Sequence, residues 1–388
     1  MTPPRAIAVL LGTRPEAIKL APVVVALRES GWADVTVIVT GQHDRPVIDE
    51  VLGLFGLEVD IDLAVPRADG GVAALTVTLL GALDSTLVDL RPDLVVVQGD
   101  TATTLCGALA GFFRRIPVAH VEAGLRTHDL AAPFPEEGNR RLVGQIAALH
   151  LAPTVAAATN LFREGAPAET VVLTGNTVID ALRTASARRC AYGSAELERL
   201  DASGDRVVVV TAHRRESWGE PIRRVGAAVA RLADLHPGDG IVLAAHMNPA
   251  VRGVLEAAVG SRPNVLMPGP MAYGPFARLL ARAHLVVTDS GGIQEEAPAF
   301  GVPVLVTRET TERTESIDAG VARLVGTDTE VIVAAAHGLL TDPAAYRRMA
   351  HAVNPYGDGH AAQRCADAAG WLLGIAERPR DFAPPLVG

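Results

Sequence analysis

Three carboxylates stand where the chain leaves an apolar run or enters a helix. They are Asp100 in Gly99-Asp100-Thr101, Glu122 in His120-Val121-Glu122-Ala123-Gly124, and Glu136 in Pro133-Phe134-Pro135-Glu136-Glu137-Gly138-Asn139-Arg140-Arg141. Carboxylates gathered at one sheet edge raise one another's pKa, which suits general acid and base work. Taken singly, each has an ordinary alternative: Asp100 as the N-cap of the next helix, and Glu136 with Glu137 as first-turn charges that the helix dipole stabilises. A second group of residues is suited to anions. Gly12-Thr13-Arg14-Pro15-Glu16 follows an apolar run and opens a helix, where Arg14 and Lys19 add charge to free backbone N–H groups. A plain turn with surface cations reads the same way. His213-Arg214-Arg215 and, more weakly, His246 follow two later runs. In Asp289-Ser290-Gly291-Gly292-Ile293-Gln294-Glu295-Glu296 a small turn lets N–H groups approach an oxyanion, and Glu296 is placed to accept both hydroxyls of a ribose. Arg313 follows the next run as a further cation.

The elements that must position these residues are short β-branched runs: Ala6–Leu11, Val35–Thr40, Leu94–Gln98, Val118–Val121 and Val171–Leu173, then Val207–Thr211, Ile241–Ala245, Val265–Met267, Leu285–Thr288 and Val304–Val306. They are apolar on both faces, as buried parallel strands are, and helical periodicity fills most of the gaps between them. Repeated strand–helix units predict an α/β chain with two Rossmann-like domains, their parallel sheets facing a central cleft. The expected bounds are 1–170 for the first domain, completed by a C-terminal helix at about 366–388, and 171–365 for the second. The tail Arg378–Gly388, rich in Pro, reads as irregular.

Composition narrows the function. Of 35 basic residues only Lys19 is a lysine, and 44 acidic residues give a formal net charge of -9, which argues against nucleic-acid binding and polybasic membrane binding. No uninterrupted apolar run approaches the roughly 18–20 residues that span a bilayer. Cys106, Cys190 and Cys365 are isolated, as expected in a reducing cytoplasm, and no signal-peptide pattern opens the sequence. No P-loop, no GxGxxG after the first strand and no metal-ligand spacing stands out, so neither cofactor nor metal is expected.

The segments GTRPEAIKLAP, QGDTATT, HVEAGLRTHDLAAPFPEEGNRR, LTGNTVIDAL, TAHRRESWG, TDSGGIQEEAPAFGVPVLV and TTERTE, with NPYGDG at Asn354–Gly359, closely resemble the bacterial non-hydrolysing UDP-N-acetylglucosamine 2-epimerases. The resemblance covers nearly the whole chain. It implies a GT-B-type fold, a homodimer, and reversible interconversion of UDP-GlcNAc and UDP-ManNAc, with UDP as the bound intermediate product. It assigns Asp100, Glu122 and Glu136 as the acid/base set and His213 as support for the pyrophosphate or leaving oxygen. It places Arg14, Lys19, Ser290, Gly291, Gly292 and Arg313 on the nucleotide diphosphate and Glu296 on the ribose. Phe276 then lies beside uracil, and Met271 makes a main-chain contact to the base. A GT-B UDP-sugar glycosyltransferase and a hydrolysing epimerase releasing ManNAc are the alternatives. One departure stands out. Many members bind a second UDP-GlcNAc as activator, using a glutamine shortly after a Gln-His pair and a Gln-Thr-Leu segment. Here Gln42-His43 continues Asp44-Arg45-Pro46 and residues 70–75 read GGVAAL, so weakened or absent activation is expected.

Overall fold

The computed structural model describes residues 3–66, 70–212, 218–245 and 249–383. The five runs of the first series, with two strands not expected from the sequence (β3 and β6), form one seven-stranded sheet: β1 (Arg5–Leu11), β2 (Ala33–Val39), β3 (Ile61–Asp62), β4 (Leu94–Gln98), β5 (Val118–Val121), β6 (Leu149–Ala152) and β7 (Val171–Leu173), in spatial order β3-β2-β1-β4-β5-β6-β7. All its pairings are parallel; Ile7, for example, lies opposite Val35 on one side and Leu94 on the other. The connecting helices are α1 (Arg14–Glu29), α2 (Arg45–Gly53), α3 (Gly71–Leu90), α4 (Ala102–Phe113), α5 (Glu136–Ile146), α6 (Val155–Arg163) and α7 (Thr177–Ala187). Of the runs read as two-sided strands, β4 and β5 are buried at every residue.

The second series forms a six-stranded parallel sheet from β8 (Val207–Ala212), β9 (Gly240–Ala245), β10 (Val265–Leu266), β11 (Leu285–Thr288), β12 (Val304–Val306) and β13 (Ala322–Leu324), in order β10-β9-β8-β11-β12-β13. Its helices are α8 (Ala195–Ser203), α9 (Glu220–Leu235), α10 (Pro249–Val259), α11 (Tyr273–Arg282), α12 (Gly291–Glu296), α13 (Thr314–Asp318), α14 (Thr329–Thr341) and α15 (Pro343–Ala350). The core of this unit is aliphatic: Val208 and Val210 of β8, Leu243 of β9 and Leu285 of β11 pack with Ile222 and Val229 of α9 and Ile332 of α14.

By contact the chain divides into two compact units, Met1–Thr184 with Tyr356–Ala383, and Ala185–Pro355. Both ends differ from the expected bounds of 170 and 365. Val171–Leu173 hydrogen-bonds to β6, so the strand that opened the expected second domain completes the first sheet. At the other end α16 (Ala361–Leu372) packs on α1. It has no side-chain cap of its own, and Asp180 of α7 supplies one, accepting the N–H groups of Ala361 (3.3 Å) and Ala362 (2.9 Å). The helix expected at about 366–388 ends at Leu372, and the described residues beyond it, to Ala383, are irregular but fastened. Leu173 N–H donates to Asp381 Oδ1 (2.9 Å), and Phe382 N–H donates to the Leu173 carbonyl (2.6 Å), along the outer edge of β7.

Candidate active site

The strand order reverses between β1 and β4, and ligands of open α/β sheets sit beyond the carboxyl ends of strands at such a point. The turns after β1, β4 and β5 are neighbours there, and they carry Arg14, Asp100 and Glu122. Gly12 ends β1 in a crowded place: a Cβ on it would come within 2.0 Å of Thr103 Oγ1, so only glycine lets this turn sit against α4. Thr13 is the N-cap of α1, accepting the Glu16 N–H. Gln42 Oε1 accepts from the Thr103 hydroxyl (3.0 Å), and His43 braces the turn twice: its N–H donates to the Gly12 carbonyl (2.7 Å), and its Nδ1 accepts from Arg14 N–H (3.2 Å).

After β4 the structure settles what the sequence left open about Asp100. The N-cap of α4 is Thr101, whose side chain accepts the Thr104 N–H, so the Asp100 carboxylate is free of that duty. It pairs instead with Arg140 of α5 at 2.5 Å, while Asn139 one residue earlier donates to the Asp100 carbonyl (2.8 Å). Burial pushes the Asp100 carboxyl above its ordinary value, opposed by Arg140 and Lys19 and reinforced by the neighbouring Glu122 charge. His120 holds the same turn from β5. Its Nε2 lies 2.7 Å from the Gly99 carbonyl, and burial drops its pKa to about 3, so the ring is neutral and donates there.

Glu122 follows β5 with φ +62°, the left-handed region that non-glycine residues seldom occupy. Its side chain is almost buried. Lys19 of α1 forms an ion pair with Oε2, and Gln98 Nε2 donates to the same oxygen at 2.7 Å. Lys19, expected on a phosphate, is thus also the charged partner of Glu122. Glu136 is the first residue of α5, and its Oε2 is buried without a hydrogen-bond partner among the described residues. An orphaned carboxylate oxygen is costly in a finished fold and is what a site awaiting a ligand looks like. Glu137 beside it is a fold residue: its buried carboxylate accepts the N–H groups of Thr127 (3.0 Å) and His128 (3.2 Å) and pairs with Arg141. The sequence alone assigns no role to Gln98, Arg140 or Glu16, although all three lie inside its motifs.

In the second unit β11 ends at Thr288, Asp289 follows it, and Ser290 leads into α12. Ser290 N–H donates to Thr288 Oγ1 (2.9 Å), and Gln294 reaches back to the Ser290 carbonyl (3.0 Å). The Thr311 hydroxyl donates to Gln294 Oε1 (2.7 Å), joining the turns after β11 and β12. Gly291 is buried, Gly292 is exposed, and the Glu296 carboxyl folds back to 3.7 Å from where a Gly292 Cβ would stand. Arg313 pairs with buried Glu295 at 2.5 Å. Phe276 is half-buried on α11, and Met271 is half-buried in the segment between β10 and α11. His213, with Arg214 and Arg215, and His246 lie outside the described residues.

Arg45 of the altered Gln-His segment donates to Asp49 and Asp62, each at 2.7 Å.

The family model for UDP-N-acetylglucosamine 2-epimerase matches residues 25–369. Among curated relatives, UDP-N-acetylglucosamine 2-epimerase of Yersinia pestis is 45% identical over 92% of this chain and 96% of its own length. That of Bacillus subtilis is 44% identical over 96% and 97%. The crystal structure of UDP-GlcNAc 2-epimerase from Neisseria meningitidis bound to UDP-GlcNAc superposes with a TM-score of 0.82 at 39% identity, covering 95% of this chain and all of that one.

Proposed function

The chain belongs to the UDP-N-acetylglucosamine 2-epimerase family, and from that premise we propose that it interconverts UDP-GlcNAc and UDP-ManNAc. The proton on C2 of the sugar is not acidic, so direct removal is slow. Elimination avoids this difficulty: a carboxylate takes the C2 proton as the C1–O bond breaks, and the electron pair leaves with the β-phosphate oxygen of UDP, giving a 2-acetamidoglucal. UDP then adds back while a proton returns to C2 on the opposite face. The observation that carries the reading is the pair Asp100 and Glu122 on adjacent turns, their charges coupled, with α5, which begins at Glu136, tied to Asp100 by Asn139 and Arg140. In this reading the first unit supplies the acid/base set Asp100, Glu122 and Glu136. The second supplies the nucleotide site: Ser290, Gly291 and Gly292 at the diphosphate, Glu296 at the ribose, and Phe276 and the Met271 main chain at uracil. Arg14, Lys19 and Arg313 add charge at the diphosphate, and His213 supports the leaving oxygen. No cofactor enters.

The test is incubation with UDP-GlcNAc in D2O followed by NMR. Deuterium at C2 of both epimers, with the nucleotide still attached, is the expected result. Free ManNAc would replace the reading with hydrolysis, and unchanged substrate would remove the activity.

The segment matching the family's activator site supports a kinetic expectation. Gln42 is engaged with Thr103, His43 with the Gly12 turn and Arg45 with two aspartates, and a second UDP-sugar would have to displace these partners. Forward kinetics should be hyperbolic, and the reverse reaction should start from UDP-ManNAc alone. Marked sigmoidality, or a reverse reaction that needs added UDP-GlcNAc, counts against this.

We further propose a cytoplasmic homodimer. α3 is long and apolar enough in composition to span a bilayer, yet only Leu79, Leu83 and Leu87 of it are buried. Val77 is 74% exposed, and on the adjoining α4 and α5 Phe113 and Leu142 are 63% and 56% exposed. Large apolar side chains left exposed on neighbouring helices call for a cover. Sedimentation equilibrium should show a dimer that Val77→Arg with Phe113→Glu converts to monomer. A monomeric wild type, or wild type that pellets with phosphatidylcholine vesicles, would overturn this.

A further inference from the structure

Glu16 is 1% exposed, in the first turn of α1, three residues before Lys19 and therefore on the same helix face. Thr13-x-x-Glu16 has the spacing of a capping box, in which the glutamate would return to the Thr13 N–H. It does something else. Oε2 accepts the Gly12 N–H at 3.0 Å, and Oε1 accepts the Thr101 hydroxyl at 2.7 Å, with Thr104 Oγ1 at 3.2 Å. The proton count shows which contacts hold. Thr101 Oγ1 already accepts the Thr104 N–H (3.1 Å), so its own proton goes to Glu16. The Thr104 hydroxyl has a shorter partner in the Gln98 carbonyl at 2.6 Å. Glu16 thus joins the turn after β1 to the turn after β4, and the threonine beneath it holds the backbone of Gln98, whose amide holds Glu122. Along one face of α1, Glu16 fastens the Asp100 turn and Lys19 meets the Glu122 carboxylate.

We propose that Glu16 is a positioning residue of the epimerisation: its buried carboxylate fixes the Asp100 turn against the Arg14 turn and so sets where the Asp100 carboxylate stands. The inference rests on the reading of Asp100 as a member of the acid/base set. Arg140 and Asn139 hold this turn from the α5 side and His120 holds it from below; Glu16 is the clamp on the α1 side. Without it the turn has room to shift while the substrate's other contacts stay in place, so the loss falls on kcat.

Glu16→Gln keeps the shape but not the double acceptor. Its one carbonyl goes to Gly12 N–H, which cannot turn away, and the Thr101 hydroxyl must reverse. The expected result is kcat lower by about tenfold or more with KM within about twofold, since small misplacements of reacting groups are costly in rate. The limb of the pH–kcat profile set by Asp100 moves to lower pH, because burial is what raises that carboxyl and a loosened turn admits water. Thr101→Val removes the same contact from the other side together with the N-cap of α4, so kcat and the pH limb should move in the same direction as in Glu16→Gln, and the double variant should be no slower than the slower single one. Unchanged kcat and profile in Glu16→Gln, or losses that multiply in the double variant, overturn the proposal. If Glu16→Gln does not fold, Thr101→Val decides alone. Wild-type protein without epimerase activity would instead sink the reading of the function, a separate failure.

Discussion

Replacing Glu122 by Gln is expected to lower kcat about 10³-fold while leaving UDP affinity within a few-fold, measured by coupled turnover and by calorimetry. The magnitude is that of removing a general acid or base from a site that otherwise keeps its binding contacts. The substitution is close to isosteric, and the backbone needs no change, because glutamine tolerates φ +62° no better and no worse than glutamate. What changes is charge. The Glu122 carboxylate accepts from Gln98 Nε2 at 2.7 Å and pairs with Lys19, and an amide carbonyl can keep one of these contacts but carries no proton acceptor basic enough for C2. Near-normal turnover in Glu122→Gln would take Glu122 out of the acid/base set. Loss of UDP affinity in step with kcat would mean that Glu122 shapes the site rather than acting in it.

Lys19→Met should be the second large effect, about 100-fold in kcat/KM. The ammonium is the charged partner of Glu122 in a mostly buried pair, and removing one member of such a pair costs about 2–5 kcal/mol, largely from the charge left behind. About 2.7 kcal/mol is a hundredfold in rate. The pH profile carries the sharper signature. Lys19 is among the charges that hold the Asp100 carboxyl down against burial, so its loss should move whichever limb Asp100 sets to higher pH. This is opposite to the shift expected for Glu16→Gln, so the two α1 variants are told apart by direction as well as size. Lys19→Arg should also be impaired, because a planar guanidinium is wider than the ammonium it would replace at the Glu122 oxygen that Gln98 also holds. An Arg variant with unaltered KM and kcat would return the chain's one lysine to chance.

How much of this was legible follows from the distance over which each residue acts. The strand-end rule finds Asp100 and Glu122 because the position of a residue after a buried run is a local property. That Asp100 is not a cap is also local in principle: Thr101 competes for the role and wins it. Arg140 was quoted within its motif yet carried no role, since its partner lies 40 positions away and only the packing of α5 over the β4 turn brings them together. Glu16 hid for a different reason. It lies in a helix-opening motif that gives a glutamate no special role, and its partner Thr101 is 85 positions away. The left-handed backbone of Glu122 has no sequence signal, because glycine or asparagine normally marks such a position. The domain boundary was misplaced because β7 reads as a strand from its own residues but chooses its sheet by pairing with β6.

The fastened tail has a practical consequence for β7. A strand at the end of a sheet offers unpaired N–H and C=O groups to any passing chain, and it invites stacking between molecules unless something occupies it. Asp381 and Phe382 occupy it here, with Phe382 buried and the Arg364 guanidinium 5.4 Å from its ring centroid. Cutting the chain after Glu377 would leave every active-site side chain in place and still yield a stickier protein, one that loses activity by precipitating rather than by failing at chemistry.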